Sequence, residues 1–367
     1  MSQIYTLYGA PASLYTGKVR AYLKYKNIPY QEQISSMGVY KKIILPKTGV
    51  AMIPVVKSPE EEYWQDSSVI LDKLEQRFPS KPILPKSPKQ RMLALLFEMY
   101  GDEWLRLPAM HYRWNFPEQN LEFIKSEFGA SVAPKMPKFV QRWLGKKVVD
   151  KFSGYVEPLG ITQGNISAIE TWYEEFLSQL NELFSQQDFL LGSAPCIGDF
   201  GLMGPLYAHL YRDPYPGQLM KEKAPNVASW VERMNNSCDI EGEFLADDEI
   251  PKALEPILQR LFSEFWPSLL NSCKNIEHWA KDQAPGSRLP RMLGMQEFRI
   301  ANTTAQQMSL TYGQWMLQRV LDHYQDLNED EKSLSGEYFA HFNDGSNPLD
   351  ISLQSKVKFE RNRLVLA

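Results

Sequence analysis

The stretch IYTLYGAPASLYTGKVRAYLKYK, residues 4–26, joins two periodicities through one break. Ile4 to Tyr8 is short and β-prone, Gly9-Ala10-Pro11-Ala12 interrupts it, and Val19, Tyr22, Leu23 and Lys26 follow at helical spacing with Asn27 as a stop. That is a strand, a loop and a helix in succession. Ser13 stands at the end of the loop, where backbone N–H groups lack partners and the helix field favours negative charge. Two roles are open to its hydroxyl: it can simply cap the helix, or it can donate to an anionic sulfur held at the same end.

Working outward, Tyr30–Ile34 reads as a second strand, Ile53–Val56 as a third and Glu62–Trp64 as an edge strand. Pro54 opens its strand, where no N–H is needed for the ladder. A trans Ile53-Pro54 bond is the ordinary state; a cis bond would turn the Ile53 backbone outward toward an extended peptide. Gln65-Asp66-Ser67-Ser68 then introduces Val69, Ile70, Leu74 and Phe78, the apolar face of a short helix. Asp66 or Ser67 can cap it; equally, the free N–H groups there suit a carboxylate and Asp66 suits an ammonium. Strands separated by helices form an α/β layer, with parallel pairing where a helix crosses over.

The proline-rich run Pro79 to Pro88 reads as a linker. Beyond it the pattern is helical, with stripes at Met92, Leu95, Leu96 and Met99 and at Ile169, Trp172, Tyr173, Phe176, Leu177, Leu180 and Leu183. Residues 115–164, rich in Lys, Pro and Gly, are expected to form short helices and loops. After Asn235-Asn236-Ser237 a third region carries a helix through Leu254, Ile257, Leu258, Leu261, Phe262 and Phe265, which Pro267 is expected to kink. It also carries a helix through Trp315, Leu317, Val320, Leu321 and Tyr324, and strands at Glu297–Ile300 and Val357–Leu366.

Composition excludes several classes of function. The 367 residues are 43% hydrophobic and 23% charged, a globular balance sufficient for two or three domains. Lys+Arg number 40 against 44 Asp+Glu, for a net charge of −4. That leaves no bulk electrostatic footprint for nucleic acid or a membrane. No run approaches the ~18 uncharged apolar residues of a spanning helix, and the opening residues lack a basic region followed by an apolar core. The reading is a soluble, cytoplasmic protein. Cys196, Cys238 and Cys273 are odd in number and widely spaced, and the five histidines form no H-x-x-x-H pair. Disulfide and metal chemistry are not expected.

The order of these signatures resembles the glutathione S-transferase superfamily over about residues 3–236. The resemblance implies an α/β thioredoxin-like glutathione-binding domain at 1–80, a linker at 81–88 and an all-helical domain at 89–236. It leaves 237–367 as a mixed α+β C-terminal extension of undetermined role. By the same resemblance, Ser13 stands where many members place the catalytic Ser or Cys, and Tyr15 offers a neighbouring hydroxyl for a tyrosine-type assignment. Ile53-Pro54 matches the Val-Pro pair whose cis bond presents backbone to the cysteinyl part of glutathione, and Asp66-Ser67 matches the acid-Ser pair that holds the γ-glutamyl group. Phe189 to Asp199 is similar to the family's lead into a buried helix, with Cys196 replacing the capping Ser/Thr and Gly198 replacing Ala. The stretch Ser36 to Ala51 does not match the family's Asn-Pro-x-Gly pattern, so Lys41, Lys42 and Lys47 are the candidates for the glycyl carboxylate. Trp104, His111, Tyr112, Arg113 and Trp114 fall in the region that lines the second-substrate site in the family, core packing being the alternative.

The implied chemistry is thiol activation. Lowering a thiol pKa of about 8.5 by ~2 units takes about 2.7 kcal/mol of differential stabilisation, which a hydroxyl donor and a helix N-terminus can supply. The implied partners are glutathione as cosubstrate, a small apolar electrophile to be detoxified and a second copy in a homodimer, with no metal, nucleic acid or membrane. A non-catalytic binding protein of the same fold is the alternative. A glutathione-dependent peroxidase or disulfide reductase is a third reading, disfavoured because position 13 is not cysteine.

Overall fold

The computed structural model describes residues 4–236 and 238–367. Met1–Gln3, at the start of the expected first domain, and Ser237, at the start of the expected extension, lie outside the described residues. Strand β1 (Tyr5–Gly9), helix α1 (Leu14–Tyr25) and β2 (Tyr30–Ile34) form a parallel crossover unit. Two short helices, α2 (Met37–Val39) and α3 (Leu45–Thr48), flank a π turn and lead to β3 (Val55–Lys57) and β4 (Tyr63–Gln65). The sheet order is β2-β1-β3-β4, with β3 antiparallel to both of its neighbours. Helix α4 (Ser67–Arg77) follows; α1 and α4 bury Val19, Tyr22, Leu23, Ile70, Leu71 and Leu74 in the main core.

The helical region comprises α5 (Pro88–Met99), α6 (Arg106–Trp114), α7 (Pro117–Val132), α8 (Lys138–Ser153), α9 (Ile166–Gln186), α10 (Ile197–Ala208), α11 (Pro214–Lys223) and α12 (Pro225–Asn235). Helix α10 is apolar on every side and buried from Ile197 to Leu206, so it lies at the centre. Its glycines permit backbone contact. A Cβ on Gly198 would lie 2.8 Å from the Phe97 Cβ, and one on Gly201 would lie 2.6 Å from the Glu98 Cα. Gly198 therefore gives up helix propensity for close packing against α5.

Residues 115–164 depart from the expected short helices and loops. Helices α7 and α8, of 16 residues each, form a hairpin whose backbones meet where a Cβ on Gly129 would lie 2.2 Å from the Gln141 oxygen and one on Gly145 2.1 Å from the Lys125 oxygen. Small residues make that contact, so no continuous apolar stripe marks it in the sequence.

The extension contains α13 (Glu255–Arg260), α14 (Trp266–Ala280), the hairpin β5–β6 (Met292–Ile300, Thr303–Leu310), α15 (Tyr312–Asp326), α16 (Glu329–Ala340) and the hairpin β7–β8 (Val357–Glu360, Arg363–Leu366). The helical run in which Pro267 was expected to place a kink continues past it. A π turn at Leu261–Phe265 connects α13 to α14 and leaves Pro267 in the first turn, where its missing N–H costs little. The extension is not separately folded: Leu258, Phe265, Met316, Leu317 and Val320 join one apolar core with Leu96, Tyr100 and Trp172.

Candidate functional site

Strand β1 runs into α1 through a loop whose last residue, Ser13, is the N-cap: its Oγ accepts from the Thr16 N–H at 3.3 Å. Two residues on, Tyr15 lines a cavity of about 240 Å³ together with Ile53, Pro54, Asp66 and Ser67, whereas Ser13 is not among the lining residues. The Ile53-Pro54 bond is cis. Asp66 caps α4 from a left-handed conformation, φ 82°, with Oδ1 accepting from the Ser68 and Val69 N–H groups at 3.0 and 3.2 Å. Tyr15, Ile53-Pro54 and Asp66-Ser67 come from three separate stretches of the chain, yet they form one wall. The Tyr15 hydroxyl donates to the Asp102 carbonyl at 3.2 Å. Burial pushes its pKa well up, against the pull of the nearby Arg106 guanidinium, so Tyr15 keeps its proton.

The opposite wall belongs to the extension. Tyr312, Phe359 and Leu364 face the cavity, with Arg288, Arg291 and Arg363 on the same side. Tyr312 donates to Asp66 Oδ2 at 2.7 Å, so that carboxylate is engaged on both oxygens. Burial raises the Asp66 pKa, while the Tyr312 hydroxyl and the Val69 N–H oppose the rise. At the tip of β7–β8, Arg361 and Asn362 both adopt positive φ, a two-residue turn of the type that suits a tight hairpin. That turn brings Asn362 Nδ2 to the Thr48 carbonyl at 3.0 Å and the Arg363 guanidinium to the Gly49 carbonyl at 2.8 Å. Lys41, Lys42 and Lys47 do not line the cavity; Arg288 and Arg363 do.

A buried ionic cluster lies near the cavity wall. Lys18 Nζ donates to Glu98 at 2.7 Å, to Asp102 at 2.6 Å and to Ser68 Oγ at 3.1 Å. Arg319 of α15 reaches across to Asp72 on α4 and to Glu98 at 3.2 Å, tying the extension to both other regions. Burial works against the Lys18 charge, but Asp102 and Glu98 outweigh it and hold the ammonium protonated. Burial also pushes Glu98 up, but Lys18 and Arg319 prevail and keep it below its ordinary range. Asp102 goes the other way: burial, with Glu98 and Glu103 adding repulsion, pushes it up to about 7 despite Lys18.

Of the residues expected at a second-substrate site, Trp104 lines a smaller neighbouring cavity whose wall also includes Glu103 and Arg106, and the other four pack within the helical region. Trp104 is buried against Trp172, Phe265 and Phe298, and Tyr112 against Phe116 and Tyr173. Trp114 stacks on Phe128. His111 is buried, taking a hydrogen bond from Asn115 Nδ2 at 2.8 Å, which leaves Nε2–H to donate to Glu170 at 3.1 Å. Burial lowers its pKa, so the ring is neutral. Arg113 grips Asp213 with two hydrogen bonds of 2.6 and 2.7 Å and donates to the Ala12 carbonyl at 3.3 Å, which anchors the loop before Ser13. None of the five lines the cavity beside Asp66. Glu103 and Arg106 do, and their i, i+3 pairing was a signal available in the sequence. For Tyr312 and the extension's arginines no local motif existed.

Residues 7–82 match the family model of the glutathione S-transferase N-terminal domain, and residues 170–237 match that of its C-terminal domain. Two separate stretches of the chain thus match the two domain types of that family. Similar solved structures include a glutathione S-transferase from Methylobacterium radiotolerans in complex with glutathione sulfonate, 18% identical, covering 68% of this chain and 100% of its own, with TM-score 0.39. Another is glutathione transferase GSTFuA3 from Phanerochaete chrysosporium, 13% identical, covering 65% and 99%, with TM-score 0.45. No curated protein matches the chain. The cavity lies between the stretch matched by the N-terminal domain model and residues 288–364. Among the described residues no cysteine lines it, and no three His, Cys, Asp or Glu side chains converge as a metal site.

Proposed function

We propose that the chain is a glutathione-dependent transferase that binds the tripeptide in the cavity between α1, α4 and the extension and activates its thiol there. The observation that carries this reading is the convergence of the cis Ile53-Pro54 backbone, the capped start of α4 at Asp66-Ser67 and a protonated hydroxyl on one wall. The γ-glutamyl carboxylate meets the Ser67 N–H and hydroxyl, and the ammonium meets Asp66. Arg288 and Arg363, on the facing wall, receive the glycyl carboxylate. The thiol then lies toward the N-terminus of α1, where the helix field and a hydroxyl donor stabilise the thiolate. Tyr15 is that donor once its hydroxyl turns from the Asp102 carbonyl to the sulfur, because its side chain lines the cavity and that of Ser13 does not. The thiolate attacks a small electrophilic molecule.

Titrating the bound thiol tests the assignment. Tyr15→Phe is expected to raise its pKa by roughly one unit and to lower turnover about tenfold, with a smaller effect from Ser13→Ala. The reverse order would return the role to Ser13, and no change from either would remove thiol activation from this helix end. A second reading is favoured by one observation: at about 240 Å³ the cavity is smaller than the ~300–1,000 Å³ of common ligand sites, and Tyr312 already occupies Asp66. A binding protein that holds glutathione without turning it over has that character. Calorimetry with glutathione followed by a panel of electrophiles separates the two.

A further inference from the structure

We infer that the outward face of α8, with the loop before it, docks on an anionic lipid surface. Between Ala133 and Val156 the chain has six basic side chains and a single acid, Asp150, in a protein whose net charge is −4. On α8, Phe139 and Trp143 stand one turn apart, 75% and 58% exposed, with Arg142 and Lys146 to one side and Lys147 to the other. Met136, before the helix, is also exposed. Gly145 and Val149, on the opposite side, are buried against α7. Arg142 is paired with Glu122, and Lys147 sits over the Trp143 ring at 3.8 Å. Among the described residues, Lys135, Lys138, Lys146 and Lys151 have no carboxylate partner.

Large apolar side chains grouped on the surface need an apolar environment, and unpaired lysines around them need anions. A nucleic-acid backbone would satisfy the lysines but leave Met136 and the Phe139 ring in water. A second copy docked through the same face would set like charges against each other. A bilayer containing acidic headgroups meets both demands: the headgroups take the ammonium groups while Phe139, Trp143 and Met136 enter the acyl boundary. The helix lies on the surface and does not cross it; no helix among the described residues is long and apolar enough to span a membrane. Whole-chain charge, which spoke against a membrane partner, averages this local excess away.

Co-sedimentation of the full chain with phosphatidylserine–phosphatidylcholine vesicles, with phosphatidylcholine vesicles as control, tests the inference. The expected result is salt-sensitive binding to the acidic vesicles alone, weakened roughly tenfold or more in Phe139→Ser/Trp143→Ser and in Lys146→Glu/Lys147→Glu. Thermal unfolding of these variants should match the parent, since the altered side chains point into solvent. Absence of binding to acidic vesicles, equal binding to both vesicle types or unchanged binding by both variants overturns it. So does a drop in particle mass by light scattering in the Phe139/Trp143 variant, which would mark the face as a contact between copies, or oligonucleotide binding through this face without lipid binding.

Discussion

The two walls of the cavity differ in how they are built. One wall is assembled largely from short local motifs, a helix cap at Asp66 and a strand opening at Pro54, with Tyr15 in the first turn of α1 beside them. The other is assembled by contacts across the chain: Tyr312 reaches Asp66 over 246 residues and Arg319 reaches Asp72 over 247. Local capping and turn chemistry can place a binding group before the rest of the fold exists, whereas a facing wall depends on every helix beneath it. The largest test of that difference is the buried cluster serving both. Lys18→Met leaves Glu98 and Asp102 without their shared ammonium and should cost about 3–5 kcal/mol in denaturant unfolding. Arg319→Leu removes a partly exposed partner and should cost about 2 kcal/mol, with proteolysis accelerated first within residues 238–367. Equal losses, with no preferential cutting of the extension, would show that both walls unfold as one unit and that the distinction is only one of sequence distance.

The same cluster makes the comparison pH-dependent. Asp102 is pushed up to about 7 from an ordinary 3.8, so between those values the folded chain retains a proton that the unfolded chain releases. Raising the pH through that window therefore costs stability, and above it the contribution is flat. Glu98, held below its ordinary 4.5, acts oppositely: its contribution is present above that value and is lost as the pH falls further. Asp102→Asn should flatten the decline of Tm between about pH 4 and 7 and leave the acid limb in place. A decline of unchanged slope in the variant would assign the titration to another buried acid, such as Asp199, which burial pushes up to about 6.

What was legible in the sequence follows from the same distinction. The strand–loop–helix at residues 4–26 and the Asp66 helix start were readable because breaks, caps and periodicity are local, and the β2-β1-β3-β4 sheet contains the three strands that lie between them. The α7–α8 hairpin was not, since its packing rests on Gly129 and Gly145 and its exposed face is aromatic as well as charged. Aromatic residues left two readings open, a ligand site or core packing. Trp104, Tyr112 and His111 follow the linker where a ligand site was expected, but burial beside Trp172, Tyr173 and Glu170 uses them for packing and internal hydrogen bonds. The extension's arginines carried no periodic or motif signal. Only the tight turn at Arg361-Asn362 and the seating of that hairpin on Thr48 and Gly49 give Arg363 a role.

The smallest expected effect probes one of the hydrogen bonds that join the two walls, that from Tyr312 to Asp66. Tyr312→Phe keeps the ring and removes only the donor to Asp66 Oδ2, so stability should fall by about 1–2 kcal/mol, the scale of a hydrogen bond to a charged group. Asp66 retains the Ser68 and Val69 N–H groups on its other oxygen, and α4 stays capped. If Tyr312 competes with the ammonium of glutathione, the freed oxygen should tighten binding by roughly two- to fivefold, read by calorimetry, even as the apo protein loses stability. If the hydroxyl instead holds Asp66 in position for the ligand, affinity and stability fall together. Opposite signs would make the far wall a competitor for the site, and a common sign would make it part of the binding surface.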